Sequence, residues 1–239
     1  MGRMNLVEVR DLHVRYGSFE AVKGVSFAVG AGEIFGIVGE SGSGKSTIAK
    51  VLMELERAAS GEVILNEPAP GRRLSMQMIF QNAVGSLNPR MTVRMALDEV
   101  LRTGVSRRTA EELVDLVGLS SAVLSQYPRE MSGGQCQRVS VARALAREPD
   151  VLVADEPVSA LDVSVQARVL NLLRDLRRDM GLAIILIAHD LAVVKNVCDR
   201  VAVMERGRFV DQGETADVFE RPESPYTRRL LAAVPRIMV

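Results

Sequence analysis

The sequence predicts an α/β fold with a mainly parallel, layered core sheet, on three observations. Short apolar runs, such as Val151–Ala154 and Ala183–Ala188, alternate with stretches whose apolar residues recur at helical spacing. Three such runs end in residues that chemistry uses: a glycine loop after Val38, the carboxylates Asp155 and Glu156, and His189. The length, 239 residues, is ample for one such domain with a smaller subdomain.

Taken in order, the chain opens on strand patterns. Val7 and Val9 form one alternation and Leu12, Val14 and Tyr16 another, with Asp11 marking a bulge between them. Val22–Val29 reads as a further strand, and Ile34, Phe35, Ile37 and Val38 as a buried one. The stretch Ile48–Leu55 is helical. Glu62–Leu65 is the next strand. Asn66–Arg72, with Pro68 and Pro70, is the clearest loop, and Met76–Phe80 delivers Gln81. The pattern then turns helical, through Val93, Leu97, Val100 and Leu101 and again through Ala110, Leu113, Val114 and Val117. A helical insert between two catalytic motifs suggests a subdomain. After Glu156, Val165, Val169, Leu172, Leu173, Leu176 and Met180 keep helical spacing up to the strand that ends at His189.

GESGSGKST at Gly39–Thr47 has the strand, loop and helix context of a phosphate-binding loop. Glycines at 39, 42 and 44 let successive N–H groups converge on phosphate oxygens, and the new helix adds its positive end. Lys45 reaches the outer phosphates as a point charge, and the Ser46 hydroxyl suits a magnesium ion. Asp155 is a second hard oxygen ligand, while Glu156 is placed to polarise an attacking water as general base. An acidic surface turn before Pro157 is the bland alternative, and the apolar run and the phosphate loop together disfavour it. His189, on a strand tip, can contact the terminal phosphate and orient that water. His13, in an alternating strand without a catalytic neighbour, keeps a packing role.

A second glycine turn, SGGQ at Ser132–Gln135, heads another helix. Alone it reads as an ordinary N-cap serine and a turn.

These motifs, in this order, resemble the nucleotide-binding subunit of an ABC transporter over nearly the whole chain. The resemblance implies a P-loop NTPase ABC ATPase fold: a single domain over 1–239, with an α/β core and antiparallel β portion at 1–81 and 150–239 and a helical subdomain at 82–149. It makes Gly39, Glu40, Ser41, Gly42, Ser43, Gly44, Lys45, Ser46 and Thr47 the Walker A loop, Gln81 the Q-loop glutamine that contacts metal or water, and Asp155 and Glu156 the Walker B acids. Ser159–Asp162 becomes the D-loop and His189 the switch histidine, and Tyr16 matches the aromatic residue that stacks on adenine. It also implies a head-to-tail dimer in which Ser132, Gly133, Gly134 and Gln135 of one chain face ATP held by Lys45 of the other, with Asp162 across the same interface. ATP and Mg2+ are the implied cofactors.

Composition limits the partners. With 30 basic and 30 acidic residues the formal net charge is zero, which argues against nucleic acid as principal ligand. Cys136 and Cys198 share no metal spacing and read as reduced thiols. No apolar run approaches membrane-spanning length, and MGRMNLVEVR lacks the apolar centre of a secretion signal. Any membrane contact must therefore be peripheral, and the resemblance implies the cytoplasmic face of the inner membrane. There it would meet transmembrane permease subunits, a second ATPase subunit, identical or related, and indirectly an extracytoplasmic binding protein.

SLNPRMTV at Ser86–Val93, SALDVSVQA at Ser159–Ala167 and SPYTRRLLAAVP at Ser224–Pro235 resemble the branch of importers for oligopeptides, dipeptides and nickel or metal chelates. Asn82 and Ala83 stand where that branch usually has Asp and Pro, Met131 replaces a leucine, and Cys136 a polar residue. Peptide and metal chelate both stay open as cargo. A non-transport ABC-type ATPase acting on an assembly or nucleic-acid machine is the alternative; it would carry long coiled-coil insertions or a basic face.

Overall fold

The computed structural model describes residues 4–233. In chain order the elements are β1 (Asn5–Tyr16), β2 (Phe19–Gly30), β3 (Ile34–Val38), α1 (Lys45–Leu52), β4 (Ser60–Leu65), β5 (Met76–Ile79), α2 (Ala83–Ser86), α3 (Val93–Leu101) and α4 (Ala110–Leu116). They continue as α5 (Gly133–Leu145), β6 (Val151–Asp155), α6 (Val163–Met180), β7 (Ala183–Ala188), α7 (Leu191–Val197), β8 (Arg200–Glu205), β9 (Arg208–Glu214), α8 (Thr215–Glu220) and α9 (Pro225–Ala233). Two 3-10 turns, Ser121–Ser125 and Pro128–Glu130, lead into α5.

The described strands form two sheets. A three-stranded antiparallel sheet runs β2-β1-β4, and a six-stranded sheet runs β5-β6-β7-β3-β8-β9. The strands from β5 to β8 are parallel, and β9 returns antiparallel on β8. Residues of β3, β6 and β7 are buried throughout, because both faces of the large sheet are covered; this is why they read as unbroken apolar runs. On one face, α1 and the small sheet pack over Phe35, Ile37 and Ile185, with Phe27 stacked on Phe35 at 5.2 Å between centroids. On the other lie α5, α6 and the helices of the insert, around Leu152, Leu173 and Val139.

The two short opening strands prove to be one. β1 runs straight through Asp11, whose φ of 46° and the pairing shift from Val9↔Phe27 to Leu12↔Val25 make it the bulge the sequence indicates. The helix of the phosphate loop starts earlier and ends sooner than the apolar spacing suggests, at Lys45 and Leu52. Glu54, at φ 58°, turns the chain away, so Leu55 lies outside the helix, exposed. Likewise β5 stops at Ile79 and leaves Phe80 outside it. The end of SPYTRRLLAAVP falls outside the described residues.

Candidate functional site

Sheet order assembles the site. Gly39 follows β3, Gln81 lies just past β5, Glu156 follows β6 and His189 follows β7. These four strands are parallel neighbours, so all four residues come to one edge of the sheet.

The phosphate loop is held from within and from behind. Lys45 Nζ donates to the carbonyls of Gly39 (2.8 Å) and Glu40 (2.9 Å), leaving one of its three donors for a phosphate. Burial pushes its ammonium pKa down, against the opposing pull of Glu156 and Asp155. Behind the loop, Gly207 N–H, in the turn between β8 and β9, donates to Ser43 O at 2.8 Å. Gly44 caps α1 at φ 112°, and a Cβ there would stand 2.5 Å from Ala21 O, so only glycine fits. No side chain caps α1, whose first amides therefore face the loop. Glu40 N–H donates to the Tyr226 hydroxyl at 3.1 Å.

Ser46 Oγ donates to Asp155 Oδ1 at 2.9 Å. These adjoining hard oxygens fit a magnesium ion, and the buried Asp155, whose pKa burial raises while Ser46 opposes, gains most from a cation. Glu156 is not part of the strand. It takes φ 46°, a left-handed conformation costly for a side-chain-bearing residue, by about 1–3 kcal/mol. That turn separates the two acids. Glu156 Oε2 accepts from Gln81 Nε2 (3.0 Å) and lies 3.2 Å from His189 Nδ1, while Ser159 Oγ donates to Glu156 O. Gln81 is thus placed on Glu156 and Ser159.

Gly133 lines a pocket with Gln81 and Ser159, while the other expected site residues are held by contacts of their own. Tyr16 ends β1, partly exposed beside the hairpin turn. Ser132 caps α5: its hydroxyl accepts from Gln135 N–H, while Gln135 Oε1 accepts from Ser132 N–H at 2.8 Å. Gly134 lies against α6, where a Cβ would meet Val165 Cγ1 at 2.3 Å. Asp162 caps α6, and its bonds to the Ser164 hydroxyl and the Val165 amide hold its carboxyl below the usual range. The contact missed by sequence reasoning is Tyr226. Its stretch was legible as a branch marker, but no local pattern ties it to a loop 186 residues away.

A loop with uncapped amides, a lysine inside it, a hydroxyl–carboxylate pair and a carboxylate held by glutamine and histidine defines a nucleoside triphosphatase of the phosphate-loop class. A family profile described as ABC transporter matches residues 22–159, and the chain belongs to that family. It is 45% identical over 263 residues to the oligopeptide transport ATP-binding protein OppF of Escherichia coli, covering 98% of this chain and 79% of OppF. It is 43% identical over 251 residues to the oligopeptide transport ATP-binding protein AmiF of Streptococcus pneumoniae, covering 96% and 82%. Among solved structures, cbiO1 from Clostridium perfringens, part of the cbiONQ transporter complex, superposes with a TM-score of 0.76 at 26% identity, covering 98% of this chain and 97% of that one. A dimeric ATP-binding cassette in a post-hydrolysis state with ADP and Pi gives 0.72 at 27% identity, covering 87% and 98%. No helix among the described residues is long and apolar enough to cross a membrane.

Proposed function

We propose that this chain is the ATP-hydrolysing subunit of an oligopeptide importer, bound at the cytoplasmic face of the inner membrane to permease subunits and paired with a second ATPase subunit. The observation that carries the reading is the Glu156 carboxylate, gripped by Gln81 and His189 on the sheet edge that also bears Lys45, Ser46 and Asp155. The loop amides of Gly39–Thr47 and Lys45 would bind the phosphates, and Tyr16 would receive the adenine. Ser46, Asp155 and Gln81 would hold Mg2+, which neutralises charge on the phosphates when bound. Glu156 accepts the proton of the attacking water, and His189 holds that carboxylate in place. Ser132, Gly133, Gly134, Gln135 and Asp162 would complete the site of the other subunit. The oligopeptide names of the relatives favour peptide over nickel or metal chelate as cargo.

The domain division follows the same logic, with a core of 1–81 and 150–239 and a helical unit of 82–149. A groove of about 510 Å³ lies between them, lined by Met53, Leu55, Phe80, Val100, Arg143 and Arg147. Leu55 and Phe80 are exposed there, and Phe80 immediately precedes Gln81 in the chain, so a permease element seated in the groove would feel the glutamine move.

Glu156→Gln tests the reading. Phosphate release should fall by about 10²–10⁴-fold while ATP binding is kept, and sedimentation should show an ATP-held dimer. Turnover at the unmutated rate would remove Glu156 from this role.

A further inference from the structure

The stretch SPYTRRLL that opens α9 is remote from the phosphate loop in sequence and adjacent to it in space. Its start is fixed by β9: the buried Asp211 carboxylate accepts from the amides of Glu223 and Ser224 at 3.1 Å each. The Ser224 hydroxyl then accepts from Tyr226 N–H at 3.1 Å, and Pro225 begins the helix with its φ already set. Tyr226, only 5% exposed, is thereby aimed at the loop, where its hydroxyl accepts the Glu40 N–H. Arg229 lies 5.9 Å over the Tyr226 ring and 3.9 Å from Glu205, beside the turn that braces Ser43. Glu40 is therefore gripped at both backbone polar groups, its N–H by α9 and its C=O by Lys45 and the Ser43 amide.

We propose that Tyr226 is a positioning residue for nucleotide binding, its hydroxyl fixing the Glu40 corner of the loop and with it the frame on which Lys45 and the loop amides meet the phosphates. This rests on the reading of the loop as an ATP site. The physical ground is pre-organisation: a loop ordered beforehand does not subtract its ordering entropy from affinity. The Glu40 carbonyl keeps its lysine in any case, so loss of the hydroxyl loosens one side of the corner and leaves the other held.

Tyr226→Phe keeps the ring and the helix packing and deletes only the acceptor. Titration with a fluorescent ATP analogue should show affinity weakened about three- to tenfold, the effect of one hydrogen bond. KM for ATP should rise in step, with kcat changed by less than about twofold. In the nucleotide-free full chain, the Glu40 amide should exchange with solvent faster in the variant than in the parent. Leu230→Ala, later in α9 and packed on the core, should lower Tm without changing ATP affinity. Parental affinity and parental Glu40 exchange in Tyr226→Phe would overturn the proposal. So would an equal affinity loss in Leu230→Ala, since helix packing alone would then account for it. If the parent chain bound no ATP, the ATP reading would fall, and the Glu40 exchange would still decide whether the anchor exists.

Discussion

Helices α1 and α5 both begin at glycine turns, yet their first amides are treated in opposite ways. α1 starts from left-handed Gly44 with no side-chain cap, and its loop is held by Lys45, by the β8–β9 turn and by Tyr226. α5 starts from Ser132, which trades hydrogen bonds with Gln135 in a capping box. An uncapped helix start inside a braced loop leaves backbone amides available to an anion. A capped start on the surface satisfies itself, and it gains a ligand only when another surface brings one. The contrast agrees with the proposed division, in which the first turn binds nucleotide and the second serves a partner.

Lys45→Ala separates the turns most sharply. It should weaken ATP binding on the order of 10²-fold or more, because a charged donor to the phosphates and the brace on Gly39 and Glu40 go together. Calorimetric titration reads this directly, and retained affinity would mean that the uncapped amides suffice. Gly134→Ala strikes the second turn where it touches α6. The new Cβ is forced on Val165, so stability should drop by about 1–3 kcal/mol in denaturant melts, with ATP binding by the monomer unchanged. Ser132→Ala is the mildest, removing a cap worth about 1 kcal/mol, or about 2–4 °C in Tm, again without loss of ATP binding. Reduced nucleotide affinity in either α5 variant would dissolve the distinction.

Much of this was readable from the residues. Strands buried on both faces leave continuous apolar runs, so β3, β6 and β7 and the residues at their tips stood out. The bulge at Asp11 showed in a broken alternation. What escaped depends on distance along the chain or on backbone angle. Nothing in the letters around Glu156 announces φ 46°; that conformation comes from the turn between β6 and Pro157. Helix α1 begins at Lys45 because the glycine loop ends there, and apolar spacing, which starts at Ile48, is blind to that. The sheet order β5-β6-β7-β3 places Gln81, Glu156, His189 and Gly39 side by side, and its β7–β3 pairing joins residues as distant in the chain as Ile34 and Ile184.

The position of β3 between β7 and β8 has a consequence for biogenesis. The strand that carries the phosphate loop is made early, but its hydrogen-bonding neighbours are Ala183–Ala188 and Arg200–Glu205, and the loop's outer anchor is Tyr226. A nascent polypeptide still on the ribosome holds the nucleotide motif without the sheet that shapes it. On the proposed reading, competence for ATP waits until β7, β8 and Tyr226 have all been made, and a product truncated before them carries the loop without its frame.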